Sequence, residues 1–144
     1  MKVKIVNKSK YPLPQYQTIG SSGVDLYANI SEPYLLHSLE EVIIPTGIYV
    51  GLPLGYEAQV RPRSGLAAKA GITVINAPGT IDADYRGEIK VILGKITKGE
   101  FVINPGDRIA QLVIQKIEQV EWEEWDELDE TGRGAGGFGS TGTK

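Results

Sequence analysis

Short apolar runs separated by turn residues recur along the first 117 positions of the chain. Most are rich in Val, Ile, Leu and Tyr, and Gly, Pro or Asn bounds them, which is typical of β-strands. One run, residues 64–70, has helix-forming composition instead and is followed by Gly71, a helix-terminating residue. The pattern predicts an all-β sandwich or barrel with one short helix. Strands are expected at 3–7, 24–28, 41–45, 47–52, 56–63, 72–76, 88–93, 101–104 and 108–117.

Polar and apolar residues alternate along residues 56–63, so Arg61 and Arg63 project from the same face of the predicted strand. Ser64 and Gly65 follow at once and are expected to open the helix, with the Ser64 hydroxyl at the N-cap position. A guanidinium, a hydroxyl and free N–H groups at one point make an anion site. An ordinary capped helix beside a surface arginine fits the same residues equally well.

Residues 71–89 are predicted to form a hairpin with the tripeptide APG at its tip. Asp82 lies just beyond this turn, and Tyr85 follows three residues later. A carboxylate in such a position commonly stabilises the turn itself. The mouth of a hairpin can also expose main-chain groups that read the edge of a small planar base. Both interpretations fit these residues.

Two further carboxylates lie in or beside predicted strands. Asp25 interrupts the apolar run GVDLYA, and we expect it to have a partner because an unpaired buried carboxylate is costly. Asp107 follows the Pro105-Gly106 turn and is expected to pair with Arg108 as a structural feature of that turn.

At 144 residues the chain is long enough for one domain with a full core. It has no cysteine and a single histidine, His37, which we expect to be a solvated surface residue. Thiol nucleophiles, disulfides, cysteine-based zinc sites and two-histidine zinc helices are thereby excluded. No apolar run approaches the roughly 20 residues of a membrane span, and the opening residues lack the apolar stretch of a signal peptide. We therefore expect a cytoplasmic protein without membrane contact.

The formal net charge of −3 conceals an asymmetry along the chain. Residues 118–130 hold eight of the 18 acids and no basic residue, which leaves ten acids against 15 basic residues elsewhere, a net +5. A basic body suits a small polyanion. No clustered basic stripe of the kind that binds nucleic acid is visible, and we predict no direct nucleic-acid binding. The acidic segment is interpreted as a connector that Trp122 and Trp125 anchor to the body.

Residues 131–144 form a glycine-rich tail that cannot bury enough apolar surface to order itself. Arg133 offers a planar fork of donors for phosphate oxygens, and Phe138 offers a flat face for a base. The tail's G-x-G-x-x-G pattern does not indicate a dinucleotide-binding fold, which needs a strand before the pattern and a helix after it. Here an acidic run precedes the pattern and the sequence ends shortly after it. A merely flexible end is the other interpretation. We predict one structural domain with a body at 1–117, an acidic connector at 118–130 and a flexible lid.

Five segments, in this order, resemble the five motifs of the all-β deoxyuridine triphosphatases (dUTPases): residues 23–26, 63–67, 79–87, 106–112 and 133–142. Each motif alone is a weak signal, whereas five in order are specific. The resemblance implies a jelly roll, or distorted β-barrel, that assembles as a homotrimer with active sites shared between subunits. It also implies hydrolysis of dUTP to dUMP and pyrophosphate with Mg²⁺. That reaction limits uracil incorporation into DNA and supplies dUMP for thymidylate synthesis.

The resemblance further implies roles for individual residues. Asp82 becomes the catalytic base that deprotonates the water attacking the α-phosphorus, and Tyr85 packs against the deoxyribose. Asp25 contacts the metal through water, while the substrate triphosphate holds the metal itself. The implied uracil-reading residues are Asn76, Thr80, Ile81 and Lys90; the phosphate-binding residues are Arg63, Ser64, Gly65 and Gln111; the tail contributes Arg133 on the γ-phosphate, Phe138 on uracil, and Gly139, Ser140 and Thr141.

Two other functions are compatible with this sequence. A dCTP deaminase shares the fold by family resemblance, but the Phe-Gly-Ser-Thr tail and the combination of Asp82 with Tyr85 argue against it. A non-catalytic nucleotide-binding trimer is the second alternative, and an intact Asp82 with a complete tail argues against that. Ammonia release from dCTP and pyrophosphate release from dUTP distinguish the three.

Overall fold

The computed structural model describes residues 1–140 and 142, so the expected tail ligand Thr141 lies outside the described residues. The described part is mostly β-structure with one short helix, as the sequence predicts. Its strands are β1 Lys4–Asn7, β2 Gly23–Tyr27, β3 Tyr34–His37, β4 Glu41–Gly51, β5 Tyr56–Arg61, β6 Ile72–Val74, β7 Gly79–Ile81, β8 Ile89–Lys95, β9 Glu100–Ile103 and β10 Arg108–Lys116, and its helix is α1 Ser64–Ala70.

Two four-stranded antiparallel sheets, ordered β1-β4-β8-β6 and β2-β10-β5-β7, contribute to one apolar core, and β3 pairs with β9 in a separate ribbon. The alternation expected for β5 is observed, because Ala58 and Val60 are buried while Glu57 and Gln59 are half-buried on the other face. Strand β8 is buried at five of its seven positions, since it lies between β4 and β6. The all-β prediction is confirmed.

Strand β4 replaces the two separate strands predicted at 41–45 and 47–52. The pairing with β8 is irregular between Pro45 and Ile48, and a buried threonine bridges the irregularity. The Thr46 hydroxyl donates to the Ile89 carbonyl at 2.6 Å and accepts the Ile48 N–H at 3.2 Å. Gly47 has a φ of 70°, a conformation that suits glycine, and its N–H donates to a Glu88 carboxylate oxygen at 2.8 Å. The chain therefore continues as one strand through a bulge.

The simple hairpin predicted over residues 71–89 is wrong. Strand β6 pairs with β8 in one sheet, whereas β7 pairs with β5 in the other, so residues 75–78 carry the chain from sheet to sheet. The Ile75 N–H still donates to the Ile92 carbonyl at 2.9 Å, and the Ala77 N–H then closes a turn onto the Val74 carbonyl at 3.1 Å. Local turn signals mark where a chain bends, but they do not say which strand it joins next.

Strand β3 is absent from the strands that the sequence predicts. It pairs with β9, and the imidazole of His37 is exposed there, with Nδ1 3.1 Å from a Glu100 carboxylate oxygen. The expectation of a solvated His37 is confirmed. Three of its four side chains are exposed although the segment is largely apolar, and only Leu36 is buried in the core.

Helix α1 spans the residues that the sequence predicts, but its capping differs. Arg63 rather than Ser64 occupies the N-cap position, without a side-chain capping hydrogen bond, and Ser64 is the first helical residue. At the other end Gly71 has a left-handed φ of 61°, and its N–H turns back to the carbonyls of Ala67 and Leu66. The Ser64 hydroxyl is therefore not used to cap the helix.

Beyond Lys116 the described residues contain no strand or helix. The anchoring role expected for two tryptophans is not observed, since Trp122 and Trp125 are 89% and 68% exposed in the single chain. No helix in the described residues is long and apolar enough to cross a membrane.

Candidate active site

Asp25 on β2 is held between two guanidinium groups. Its side chain is only 14% exposed; Oδ1 lies 2.9 Å from Arg63 Nε, and Oδ2 accepts a hydrogen bond from Arg108 Nη1 at 3.2 Å. The Arg63 Nη1 also donates to the Arg108 carbonyl at 3.0 Å. Asp25 was expected to have one partner and has two. Its contacts with Arg63 and Arg108 connect β2, the start of α1 and β10.

The expected pairing of Asp107 with Arg108 is wrong. The Asp107 carboxylate instead accepts the Asn104 N–H at 2.8 Å across the turn, while the Arg108 side chain reaches Asp25 on the neighbouring strand. Adjacent residues of a strand point to opposite faces, so a strand-end arginine is better placed to meet the next strand than its own neighbour. Sequence reasoning missed Arg108 as a site residue, although it lies within the fourth dUTPase-like motif.

The register of the second sheet brings Gln111 beside this ion pair. Gln111 is opposite Asp25 on one side and opposite Arg61 on the other, and its amide Nε2 donates to the Pro62 carbonyl at 2.9 Å. A Cβ placed on Gly23 would come within 2.6 Å of the Gln111 side-chain oxygen. Glycine at position 23 thus leaves the space in which the amide lies.

A cavity of about 670 Å³ opens beside these groups. Within it, the cationic side chains of Arg63 and Lys69 outnumber the single carboxylate of Asp25, so the cavity carries a net positive charge that suits a polyanion. The four phosphate ligands predicted outside the tail all lie on its wall together with Asp25: Arg63, Ser64, Gly65 and Gln111.

A second cavity, of about 590 Å³, contains Asp82 and Tyr85 together with Thr80, Ile81 and Lys90. Asp82 is exposed just beyond β7, and its main-chain carbonyl accepts the Tyr85 N–H at 3.2 Å. Within the described part of the chain its carboxylate forms no hydrogen bond or ion pair, so it does not stabilise the turn as the simpler interpretation requires. The carboxylate is available to a ligand or a water molecule in the cavity.

Tyr85 is fixed by the segment that follows it. Its hydroxyl donates to the Glu88 carbonyl at 3.0 Å, and its ring is 43% exposed. A Cβ on Gly87 would overlap the phenol hydroxyl and the ring carbon that bears it. Sequence reasoning did not single out Gly87 or Glu88, because their contribution depends on where the Tyr85 ring lies.

Asn76, the remaining predicted uracil reader, lies at the sheet-crossing segment. Its side chain is exposed, and its amide nitrogen would be 3.0 Å from a Cβ built on Gly79. It therefore faces the start of β7, close to Thr80 and Ile81, although it does not line the second cavity.

The two cavities have no lining residue in common. The predicted phosphate ligands outside the tail line one of them, and Asp82 lines the other together with Tyr85, Thr80, Ile81 and Lys90. One chain therefore presents the two halves of the predicted site on separate surfaces.

The described tail residues bond mainly to one another. Arg133 Nε donates to the Gly136 carbonyl at 2.8 Å, the Ser140 N–H donates to the Gly137 carbonyl at 3.1 Å, and the Phe138 side chain is fully exposed. Gly139 has a φ of 87°, which glycine adopts without strain. Among the described residues, the predicted tail ligands Arg133, Phe138, Gly139 and Ser140 therefore line neither cavity.

The donor set fits a metal carried by a ligand rather than by the protein. No cluster of three or more His, Asp or Glu side chains occurs in residues 1–140 or at 142. Asp25 is a lone carboxylate whose two oxygens already contact guanidinium groups. Mg²⁺ commonly keeps several waters and binds through substrate phosphates with one or two carboxylates. Asp25 suits contact through such a water.

Comparison with known proteins identifies close relatives over the full length of the chain. The family model described as dUTPase matches residues 9–142. The chain is 57% identical over 142 residues to the deoxyuridine 5'-triphosphate nucleotidohydrolase of Finegoldia magna, covering 99% of each. It is 64% identical over 133 residues to the enzyme of the same name from Aquifex aeolicus, covering 92% of this chain and 89% of the relative.

Solved structures show the same fold. The dUTPase of Staphylococcus bacteriophage 80alpha with dUPNHPP superposes with a TM-score of 0.86 at 27% identity, covering 99% of each chain. A mutant dUTPase of S. aureus phage phi11, described with a structural Mg(II) ion, has a TM-score of 0.80 at 22% identity and covers 90% of this chain and all of that one. The expected jelly roll is thereby confirmed.

Replacing Asp25 by Asn should destabilise the protein, because both guanidinium groups lose their anionic partner in a largely buried position. Hydrogen bonds to charged groups are worth about 1.5–3 kcal/mol, and a loss of that size should appear in urea unfolding at fixed protein concentration. Asp84→Asn is the matched control, since the Asp84 carboxylate is exposed and has no partner in the described residues. Equal unfolding midpoints for the two variants would contradict the role of Asp25.

Proposed function

The chain belongs to the dUTPase family of dUTP diphosphatases, and on that premise we propose which of its residues carry out the hydrolysis of dUTP to dUMP and pyrophosphate. The observation that carries the proposal is the exposed carboxylate of Asp82, which has no partner among the described residues and lies in a cavity with Tyr85 and the main chain of β7. The relatives' names favour neither dCTP deamination nor a non-catalytic trimer. Removing dUTP would limit uracil incorporation into DNA, and the dUMP formed would supply thymidylate synthesis.

Asp82 is the proposed general base. Its carboxylate takes a proton from a water molecule, the water oxygen bonds to the α-phosphorus, and the bond from that phosphorus to its bridging oxygen breaks to release pyrophosphate. Phosphoryl transfer depends mainly on positioning and charge neutralisation. Mg²⁺ on the triphosphate, when bound, would neutralise part of the charge that develops on the leaving group.

The proposed phosphate site is the cavity beside Asp25. Two of the three nitrogens of Arg63 are already engaged, Nε with Asp25 and Nη1 with the Arg108 carbonyl, which leaves Nη2 for a phosphate oxygen. Ser64, Gly65 and Gln111 add a hydroxyl, a main-chain N–H and an amide on the same wall. Asp25 limits the direction of the guanidinium and would contact metal-bound water.

The proposed uracil site uses the outer edge of β7. This strand is last in the sheet order β2-β10-β5-β7, so the main-chain groups on its outer side have no strand partner. The outward main-chain groups near Thr80 and Ile81 can read the edge of a uracil. Lys90 lies in the same cavity, and the nearby Asn76 amide would assist. Cytosine would present a donor where uracil presents an acceptor and would leave a polar group unpaired.

We propose that a homotrimer completes the site. Because the phosphate cavity and the Asp82 cavity lie apart on one chain, a second subunit can bring its phosphate cavity to the first subunit's Asp82. The connector at 118–130 carries like charges that favour extension, and thirteen residues reach at most about 45 Å. That reach allows the lid at 131–144 to close over a neighbouring site. We propose the cytoplasm as the location, where free deoxynucleotides are met.

Asp82→Asn should keep nucleotide binding and lose turnover, because asparagine retains the shape of the side chain and cannot accept the proton. A positioned general base is typically worth about 10²–10⁴ in rate. Pyrophosphate release from dUTP gives kcat, and calorimetric binding of dUPNHPP gives affinity. Asp84→Asn, two residues along and also exposed, should turn over normally. A drop in Asp84→Asn with normal Asp82→Asn would move the base to Asp84.

Tyr85→Ala should lower discrimination against UTP, since the ring is proposed to occupy the space that a 2′-hydroxyl requires. Gly87→Ala should act in the same direction by displacing the ring, because the added Cβ overlaps the phenol. The measurement is the ratio of kcat/KM for dUTP to that for UTP. Gly20→Ala is the control, as a Cβ there meets nothing within 4 Å. An unchanged ratio in Tyr85→Ala would reduce the residue to a packing role.

Truncation after Glu130 should abolish most activity while barely changing the melting temperature, because it removes Arg133 and Phe138 and leaves every strand intact. A charge-assisted phosphate contact is worth about 1.5–3 kcal/mol and a stacked base about 1–3 kcal/mol, so turnover should fall at least about 50-fold. Truncation after Gly142 keeps the proposed ligands and serves as the control.

Mixed trimers test whether the lid crosses between subunits. Co-assembling chains truncated after Glu130 with full-length Asp82→Asn chains should restore some turnover, because one site can take Asp82 from the first chain and the lid from the second. Verified mixed trimers with no more activity than the separate variants would show that the lid closes over its own subunit's Asp82.

A further inference from the structure

Lys95, the last residue of β8, is a buried cation that the proposed reaction does not use. It is 4% exposed, and its ammonium donates to the Ala70 carbonyl and to the Thr97 hydroxyl, each at 2.9 Å. Throughout residues 1–140 no carboxylate forms an ion pair with it. Burying an ammonium without an anionic partner costs free energy. We therefore expect the contacts that Lys95 makes to offset that cost.

The ammonium holds the C-terminal end of α1. Ala70 is the last helical residue, and its carbonyl accepts from both Lys95 and the Thr97 hydroxyl, the latter at 3.1 Å. Gly71 packs so closely here that a Cβ would overlap the Thr97 side chain. A cation on the last carbonyls of a helix is favourable both as a hydrogen-bond donor and through the helix dipole.

Helix α1 is held against the core only by side chains that stay partly exposed, those of Leu66 and Ala70. It has seven residues, none of them buried, and no side-chain cap at its N-terminus. Helices of this length are marginal in water and depend on tertiary contacts. The ion pair of Arg63 with Asp25 fixes the chain just before the helix, and the ammonium of Lys95 fixes its end.

The same helix forms one wall of the 670 Å³ cavity. Ser64, Gly65, Lys69 and Ala70 all line it, so a shift of α1 moves the proposed phosphate ligands directly. Lys95 does not line the cavity itself, but its ammonium donates to the carbonyl of Ala70, which does. A charge in that buried position is less screened than the exposed charge of Lys69.

We propose that Lys95 is a positioning residue of the phosphate site, which holds α1 through Ala70 and Thr97 and places a buried positive charge behind the cavity wall. This inference rests on the proposed assignment of that cavity to the triphosphate. It predicts that Lys95 affects binding of the β- and γ-phosphates and has little effect on the nucleoside or on the chemical step.

The test compares Lys95→Met with Lys95→Arg and with Lys98→Met, the same substitution at an exposed lysine three residues along. Losing a charge-assisted contact should raise KM for dUTP and the Kd for dUPNHPP roughly tenfold in Lys95→Met. The Kd for dUMP, which lacks the outer phosphates, and kcat should each change less than about threefold. Lys95→Arg should recover part of the affinity, and Lys98→Met should match the wild type.

A Lys95→Met variant that melts earlier but keeps the wild-type Kd for dUPNHPP would overturn the proposal, as would an equal loss for dUPNHPP and dUMP. Should Lys95→Met fail to fold, Thr97→Val serves as the second variant, because it keeps the lysine and removes one acceptor of its ammonium. It should weaken dUPNHPP binding about threefold, and an unchanged Kd would count against the proposal. Failure of the proposed function is distinguishable, because the wild-type chain itself would then not turn over dUTP.

Discussion

The paired guanidinium groups on Asp25 are the interaction on which the phosphate side of this molecule depends. One carboxylate joins three segments that are distant in sequence: β2, the residue before α1, and the start of β10. Because the Asp25 side chain is largely buried, removing either arginine would leave the buried carboxylate with one cationic partner fewer. The same contacts restrain the Arg63 guanidinium, whose Nε meets the carboxylate and whose Nη1 meets the Arg108 carbonyl, beside the cavity that we propose for the triphosphate.

Around that ion pair the fold separates the two cavities that we propose for the phosphates and for the base. Charged and amide groups surround the cavity beside α1, while an edge strand, a tyrosine and a carboxylate surround the other. The separation follows from the crossing at residues 75–78, which moves β7 into the sheet opposite β6. A triphosphate and a base make different physical demands, charge compensation for one and directional hydrogen bonding for the other, and two surfaces can meet both without compromise.

Several of the side chains near these two cavities are polar and form hydrogen bonds within the fold. Thr46 spans the bulge of β4, Glu88 accepts the Gly47 N–H of the same bulge, and Lys95 holds the end of α1. Buried polar groups of this kind stabilise one arrangement strongly, because any shift leaves a donor or acceptor unsatisfied. The cysteine-free body is thus held by internal polar contacts as well as by its apolar core.

The sequence by itself determined much of this protein. Apolar runs bounded by turn residues predict most of the strands to within a few residues, the bounds of α1 are predicted correctly, and five ordered motifs indicate the dUTPase family that the comparisons then show. These features are local, since strand periodicity, helix termination and motif spacing all depend on neighbouring residues. The tertiary structure alone decided that Arg108 reaches Asp25 and not Asp107, that β7 joins β5, that β3 exists, and that Lys95 is buried. Each of these depends on contacts between segments far apart along the chain, and no local pattern carries that information.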